Sequence, residues 1–238
     1  VHALLSEQPT NLFLRDFLSF QQRVAWMGAF NSLSQVLLKL ASPGVPDIYQ
    51  GNETWDFSLV DPDNRRPVDY TARRRALQAI RSMHAEEGSG ACARHLMENL
   101  QDGRIKIYLT WKALTFRREH EQLFREGDYL PLKVHGECSE HACMFARCRE
   151  NEILIVAVPR LLGRLLGEQH QFPIGKSIWI DTWVELPADE LREKWINVLT
   201  GEIFTTQRMG NACRGFWLAQ LFGMFPYALL SPFEQTTG

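Results

Sequence analysis

The sequence has no hydrophobic run long enough to cross a membrane. No apolar stretch approaches the roughly 20 residues that a membrane-spanning helix needs. The first residues, VHALLSEQPTNLF, have neither a basic start nor a long apolar segment, so no signal peptide is expected. These absences predict a protein without a membrane partner.

An excess of charge of either sign is also missing. The sequence has 26 Lys and Arg against 28 Asp and Glu, which gives a formal net charge of -2. There is therefore no electrostatic reason to expect nucleic acid as a partner. A hydrophobic content of 45% and a charged content of 23% are typical of a globular protein, and 238 residues allow one large domain or two smaller ones.

Cysteine is scarce and shows no pattern. The five cysteines form no CxxC, and an odd number of scattered thiols suits a reducing cytoplasm. Cys138, His141, Cys143 and Cys148 are a conceivable metal cluster, but their spacing matches no common zinc pattern. We expect no metal, no other cofactor and a cytoplasmic location.

Four helices are predicted in the first half of the chain. Asn11 is a candidate N-cap for an amphipathic helix in which apolar residues recur from Phe17 to Leu40, and Ser42-Pro43-Gly44 ends it. Asp69 is a candidate N-cap for a helix from Tyr70 to about Met83, stopped by Gly88. Further helices are predicted near 93–100 and from Ile105 to about Phe124, closed by Gly127.

The pattern changes near Asp128 to short apolar segments separated by turn residues. Six to eight such segments within about 110 residues predict an antiparallel β-sandwich, with a hairpin turn at Thr200-Gly201 and a loop over 160–176. The predicted strands are YLPLKV, HACMFARC, ILIVAV, SIWIDTW, WINVLTG, EIFTT, FWLAQLF and YALL. The predicted fold class is α+β, with one unit over 1–127 and a sandwich domain over 128–238.

One isolated strand is predicted between the long helices, at Val45–Gln50. Pro46 and Ile48 would face the helices, whereas Asp47 and Tyr49 would face the other side. This is the layout of a parallel β/α unit, but one strand cannot make a sheet. Either another chain completes the sheet, or the chain is a piece of a longer protein. The missing initiator methionine fits the second alternative, although a tag remnant or trimmed start explains it equally.

The loop after this strand is crowded with acidic, basic and aromatic residues, which are typical of binding loops. Two of its acids could form a catalytic pair, but a flexible loop without a scaffold rarely holds two carboxyl groups in a fixed geometry. The alternative is that the acids cap helices and pair with arginines, and that Trp55 is buried in packing. We assign no catalytic residue. The candidate substrate-binding residues are Asp47, Tyr49, Gln50, Glu53, Trp55, Asp61, Asp63, Asn64, Arg65 and Arg66.

The residues of this region resemble a known family. SPGVPDIYQG is similar to the eighth barrel strand of the α-amylase superfamily, with Gly44, Pro46, Tyr49, Gly51 and Glu53 at the expected spacing. The continuation DFSLVDPDNRRPVDY resembles the maltooligosyltrehalose synthases more specifically, as do VAWMGAFNSLSQVLLKL, FRREHEQLFREGDYLPL, WIDTWVELP, WINVLTG and LFGMFPYALL. The residues at Asn52, Thr54 and Phe57 depart from that family's pattern.

The resemblance implies the C-terminal portion of an enzyme that converts the reducing-end α-1,4 linkage of a maltooligosaccharide into an α,α-1,1 linkage. It implies the end of a TIM-like barrel followed by a β-sandwich. The family's catalytic carboxylates lie on earlier barrel strands, so this chain alone is expected to be inactive. Its expected partners are the maltooligosaccharide, the missing barrel portion and a second copy of this chain. A non-catalytic carbohydrate-binding or partner-completing protein and a related hydrolase remain alternatives.

Overall fold

The computed structural model describes residues 4–209 and 213–233. The first half of the chain is helical, with α1 at Leu12–Ala41, α2 at Tyr70–Glu98, α3 at Arg104–Glu119 and α4 at Glu121–Glu126. Asn11 and Asp69 cap α1 and α2 as predicted, because the Asn11 side chain accepts from the Leu14 amide and Asp69 accepts from the Ala72 amide. Gly88, at φ 83° and ψ 170°, is not helical, so α2 consists of two helices that meet at a kink there, as the predicted stop at Gly88 indicated.

The second half is built from strands and short helices. The strands are β1 at Asp128–Pro131, β2 at Val134–His135, β3 at Ala142–Arg149, β4 at Glu152–Pro159, β5 at Trp183–Glu185, β6 at Lys194–Asn197, β7 at Ile203–Thr205, β8 at Gln207–Met209, β9 at Cys213–Trp217 and β10 at Ala228–Pro232. The short helices are α5 at Leu162–Leu166, α6 at Lys176–Trp179 and α7 at Leu218–Leu221.

The strands form two antiparallel sheets. Six strands pair in the order β1-β3-β4-β10-β6-β7, and four pair in the order β2-β5-β9-β8. Gly201, at φ 76°, lies in the connection of β6 to its antiparallel neighbour β7, so the predicted hairpin turn is confirmed. The chain therefore combines helices with antiparallel sheets, as predicted.

Helices and sheets share one hydrophobic core. The cluster of buried side chains runs from Phe30 on α1 to Leu230 on β10, and α1 packs against both α3 and β4. The Tyr227 hydroxyl donates to the Phe30 carbonyl at 2.8 Å, and the Tyr108 hydroxyl donates to the Leu199 carbonyl at 2.6 Å. Buried hydrogen bonds of this kind fix the helices on the sheets.

The strand predicted at Val45–Gln50 is absent, and that prediction is wrong. The segment pairs with no strand among the described residues, and Val45 is 96% exposed. A parallel strand needs hydrogen-bonded neighbours on the same sheet, and none lies beside this segment. The alternation was nevertheless predicted correctly, since Pro46 and Ile48 are half-buried whereas Asp47 and Tyr49 are exposed.

Other predicted boundaries also differ from the structure. The apolar start of SIWIDTW is helix α6, and the end of FWLAQLF is helix α7. Short apolar runs fit either structure, so periodicity cannot separate the two. The loop predicted over 160–176 contains α5, and β8 was not predicted. The first half of α1 is exposed at Phe17, Phe20 and Val24, because α3 and β4 cover only its second half.

No helix in the described part of the chain is both long and apolar enough to cross a membrane.

Candidate functional site

The candidate site is the segment between α1 and α2, and two arginines fix its beginning. Arg117 on α3 donates to the carbonyls of Leu40 and Gly44 at 2.8 and 2.7 Å. Arg147 on β3 donates to the carbonyl of Ala41 at 3.1 Å. The last carbonyls of a helix have no partner within the helix, and a cation suits the negative end of its dipole. The chain therefore leaves α1 in a defined direction.

Arg73 on α2 holds the turn at the middle of the segment. Its guanidinium donates to the Glu53 carboxylate at 2.9 Å and to the Gly51 carbonyl at 2.7 Å. Gly51 is buried at φ 93°, and a Cβ there would lie 3.3 Å from Val68. Only glycine adopts this conformation at low cost, so Gly51 lets the turn pack against the start of α2.

Trp55 is anchored against the start of α3. Its indole nitrogen donates to the Leu100 carbonyl at 2.7 Å, and the ammonium of Lys106 lies 5.8 Å from the ring centroid. Lys106 also donates to the Thr54 carbonyl at 3.2 Å, and burial, followed by the charge of Lys39, lowers its pKa. Gly103, at φ 74°, makes room for Trp55, since a Cβ there would lie 3.0 Å from the Trp55 amide. Trp55 thus serves packing, and its half-buried ring keeps some exposed surface.

The acidic residues of the segment are held by local partners. Asp61 pairs with Arg65, and Asp63 pairs with Arg66 while accepting from the Leu59 amide at 2.7 Å. Asp56 accepts from the amide and the hydroxyl of Ser58, and the hydroxyl bond contributes most to its lowered pKa. Asp69 caps α2, and Glu53 is bound to Arg73. Every acid of the segment except Asp47 therefore has a local structural partner.

Most of the candidate residues lie at the surface, and one has a buried side-chain oxygen without a hydrogen-bond donor. Asp47, Tyr49 and Gln50 are exposed, as are Arg65 and Arg66. The side-chain oxygen of Asn64 is buried without a hydrogen-bond partner in the structure. Between these residues, Phe57, Leu59 and Val60 project outward at exposures of 86%, 75% and 83%. Such a segment offers donors, acceptors and apolar surface to a ligand, but it shows no pair of carboxylates poised for catalysis.

The sequence did not reveal the three arginines that hold the segment in place. Arg73, Arg117 and Arg147 act mainly through backbone carbonyls, which leave no spacing pattern in a sequence. Within residues 4–209 and 213–233, no three His, Cys, Asp or Glu side chains come together as a group that could hold a metal ion.

The architecture is shared with a glycoside hydrolase. A maltogenic α-amylase from Thermotoga neapolitana superposes with a TM-score of 0.51 over 85% of this chain and 36% of its own, at 13% identity. An identity this low shows the fold alone. No family model matches the chain.

A more specific similarity is to the maltooligosyltrehalose synthases. The structure of that enzyme from Arthrobacter ramosus superposes with a TM-score of 0.69 at 27% identity, over 97% of this chain and 25% of its own. A protein named putative maltooligosyl trehalose synthase from Mycobacterium tuberculosis is 39% identical over 200 residues, which is 84% of this chain and 20% of that protein. The chain is therefore homologous to one part of these synthases and spans a fifth to a quarter of their length, so the resemblance found in the sequence is confirmed.

Proposed function

We propose that the chain is the C-terminal part of an intramolecular transglucosylase that acts on maltooligosaccharides. The observation that carries the proposal is the match to one quarter of a maltooligosyltrehalose synthase along nearly the whole of this chain. In this proposal, residues 1–127 contain the last β/α unit of a TIM-like barrel, and residues 128–238 form a β-sandwich. Val45–Gln50 becomes a strand only when neighbouring barrel strands lie beside it.

The segment between α1 and α2 forms one wall of the sugar pocket in this proposal. Asp47, Tyr49, Arg65 and Arg66 present exposed groups that can exchange hydrogen bonds with sugar hydroxyls, and the uncovered part of Trp55 can contact a sugar ring. Arginine stays protonated, so Arg65 and Arg66 would bind and orient the sugar without transferring a proton. The rest of the parent protein would close the pocket against water, which would otherwise intercept the glucosyl group.

The chain alone is proposed to be inactive. Retaining transfer needs a nucleophilic carboxylate and a second carboxyl group that protonates the leaving oxygen. Except for Asp47, the acids of the segment already bind Arg65, Arg66, Arg73, Ser58 and the start of α2. A cytoplasmic location is part of the proposal, since the cysteines are unpaired, which suits a reducing compartment.

A chimaera tests the proposal. This chain replaces the matching quarter of the Arthrobacter ramosus enzyme, and the loss of reducing ends from maltopentaose is measured for the chain, the chimaera and the parent enzyme. We expect turnover from the chimaera and the parent only. Turnover of roughly 1–1,000 s⁻¹ by the chain alone would overturn the inactivity. A folded but inactive chimaera would contradict the assignment to this enzyme.

The second candidate is a non-catalytic carbohydrate-binding or partner-completing protein. The exposed apolar residues on the first half of α1, including Phe13, Phe17 and Phe20, favour a surface that another polypeptide covers. Saturable binding of maltopentaose to the chain, together with an inactive chimaera, would favour this candidate.

In the active chimaera, variants test whether the segment binds the sugar. Arg65→Gln and Arg66→Gln should raise the KM for maltopentaose, whereas Arg75→Gln, on the exposed surface of α2, should not.

A further inference from the structure

Three polar side chains meet at the kink of α2, outside the segment between α1 and α2. The Ser89 hydroxyl lies 2.8 Å from the Nε2 nitrogen of His84, and the ammonium of Lys112 on α3 lies 3.3 Å from the same nitrogen. The ammonium also donates to the Ser89 hydroxyl at 3.5 Å. All three side chains are half-buried. A hydroxyl within hydrogen-bond distance of an imidazole is the basic unit of an activated serine nucleophile.

The kink at Gly88 brings the serine to the histidine. In an uninterrupted helix, the residues beside His84 would be three and four positions further along the chain, and Ser89 is five positions away. The non-helical conformation of Gly88, at φ 83° and ψ 170°, turns Ser89 back toward the imidazole. Gly88 is exposed, and a Cβ added there would meet nothing within 4 Å. The approach to Ser89 is therefore open on this side.

The hydrogen bonds fix the proton of His84. A protonated lysine only donates, so the Nε2 nitrogen that faces Lys112 is the acceptor, and the proton of the neutral ring lies on Nδ1. The Ser89 hydroxyl then also donates to Nε2. Burial, followed by the charge of Lys112, lowers the pKa of His84, which keeps the ring neutral and able to take a proton. A hydroxyl that donates to a neutral imidazole has the geometry that general base catalysis requires.

We propose that Ser89 is a nucleophile that takes the acyl group from a small carboxylic ester, with His84 as the general base. The serine oxygen forms a bond to the carbonyl carbon while its proton moves to Nε2 of His84. When the ester bond breaks, this proton leaves with the alcohol, and a water molecule then releases the acyl group as a carboxylic acid.

Lys112 would stabilise the intermediate. The negative charge that forms on the carbonyl oxygen equals the positive charge that His84 gains, so the net charge of the site does not change, and the Lys112 ammonium lies beside the oxygen that attacks. The turn at Gly201 lies close to the serine, since a Cβ there would lie 4.0 Å from the Ser89 hydroxyl oxygen, which favours a small acyl group such as acetyl. This activity is independent of the proposed transglucosylase function.

Labelling of the whole chain with a fluorophosphonate tests the nucleophile. The serine oxygen displaces fluoride from phosphorus, and the stable adduct is located by peptide mass spectrometry. Ser89 should be labelled at least about a hundredfold faster than Ser82, which is the matched control because it is more exposed on the same helix. An unlabelled Ser89, or equal rates at the two serines, would overturn the proposal.

Variants test the base and the ester activity. His84→Gln keeps a polar side chain but removes the base, so it should slow the labelling of Ser89 by about a hundredfold. Ser89→Ala should lower the release of p-nitrophenol from p-nitrophenyl acetate by about tenfold or more, whereas Ser82→Ala should leave it unchanged. Labelling at the original rate in His84→Gln would refute the base, and an unchanged release by Ser89→Ala would refute the ester activity. Ser89→Ala removes a single oxygen atom and keeps the test valid if His84→Gln does not fold.

Discussion

Replacing Arg147 with methionine should lower the free energy of unfolding more than any surface change. Arg147 is 1% exposed, and its guanidinium donates at 2.7–3.3 Å to carbonyls of α1, α4 and the start of β1 without meeting any carboxylate. The five acceptors are Ala41, Leu123, Phe124, Gly127 and Asp128. One side chain therefore joins the end of two helices to the six-stranded sheet.

The magnitude follows from the carbonyls that lose their donor. Leu123 keeps a second donor, the Gly127 amide at 3.0 Å, so its loss is small. If two of the other carbonyls are left buried without a donor, at about 1–3 kcal/mol each, the loss is on the order of 3 kcal/mol. That is a large fraction of the 5–15 kcal/mol typical of a folded domain, and it corresponds to a fall in Tm of about 6–12 °C for a chain of this size.

Urea unfolding followed by circular dichroism measures this loss. Arg149→Met is the matched control, because Arg149 lies on the same strand and bonds Gln122 and Glu126 near the surface. It should cost less than about 1 kcal/mol. Arg147→Lys keeps the charge but cannot reach carbonyls in several directions, so its loss of unfolding free energy should lie between those of Arg147→Met and Arg149→Met. If the free energy of unfolding of Arg147→Met is within about 1 kcal/mol of that of the original protein, the reasoning from carbonyl acceptors is wrong.

Two further changes test the candidate site and the titration of the half-buried Glu202. Arg73→Met should release the turn at Gly51 and speed thermolysin cleavage near the exposed Phe57–Val60, whereas Arg74→Met, on the exposed side of α2, should not. Burial raises the pKa of Glu202, so the folded state holds its proton more tightly and the stability that this proton provides is lost as the pH rises through the raised value. Glu202→Gln should therefore gain stability relative to the original protein as the pH rises from the ordinary pKa of a glutamate, about 4.3, through the raised value, and a constant difference in urea midpoints would contradict this.

The sequence predicted features that depend on local chemistry. Asn11 and Asp69 were correctly identified as N-caps, because a short polar side chain just before a helical apolar repeat commonly accepts a hydrogen bond from the first turn of the helix. Val45–Gln50 was assigned wrongly because a strand exists only with its neighbours, and no described strand pairs with this segment. The roles of Arg73 and Arg147 were not predictable, since both bind backbone carbonyls from distant parts of the sequence.

The exposed half of α1 leads to a last prediction, on self-association. Phe13, Phe17, Phe20 and Val24 are 52%, 46%, 58% and 50% exposed, and Phe13 stacks on Phe17 with ring centroids 6.0 Å apart. The apolar residues that follow on the same helix are buried, namely Phe30, Leu33, Val36, Leu37 and Leu40. A contiguous apolar surface of this kind drives association, and two copies related by a two-fold axis can cover it without any other partner. Because Val45–Gln50 is not a strand, it has no strand edge that could pair with a second copy. The predicted self-association therefore occurs through the exposed face of α1.

Sedimentation equilibrium over a wide range of concentration should show a dimer of the 27.5 kDa chain. Phe17→Asp and Phe20→Asp should shift the equilibrium toward the monomer, because each places a charge in the proposed interface at a position where the monomer already leaves the side chain half exposed. Leu114→Asp, at a 38% exposed position on α3, is the control for a charge introduced elsewhere. A monomer at every concentration would refute the dimer. In the active chimaera, the same substitutions should impair folding, because there the rest of the enzyme, rather than a second copy, would cover this helix.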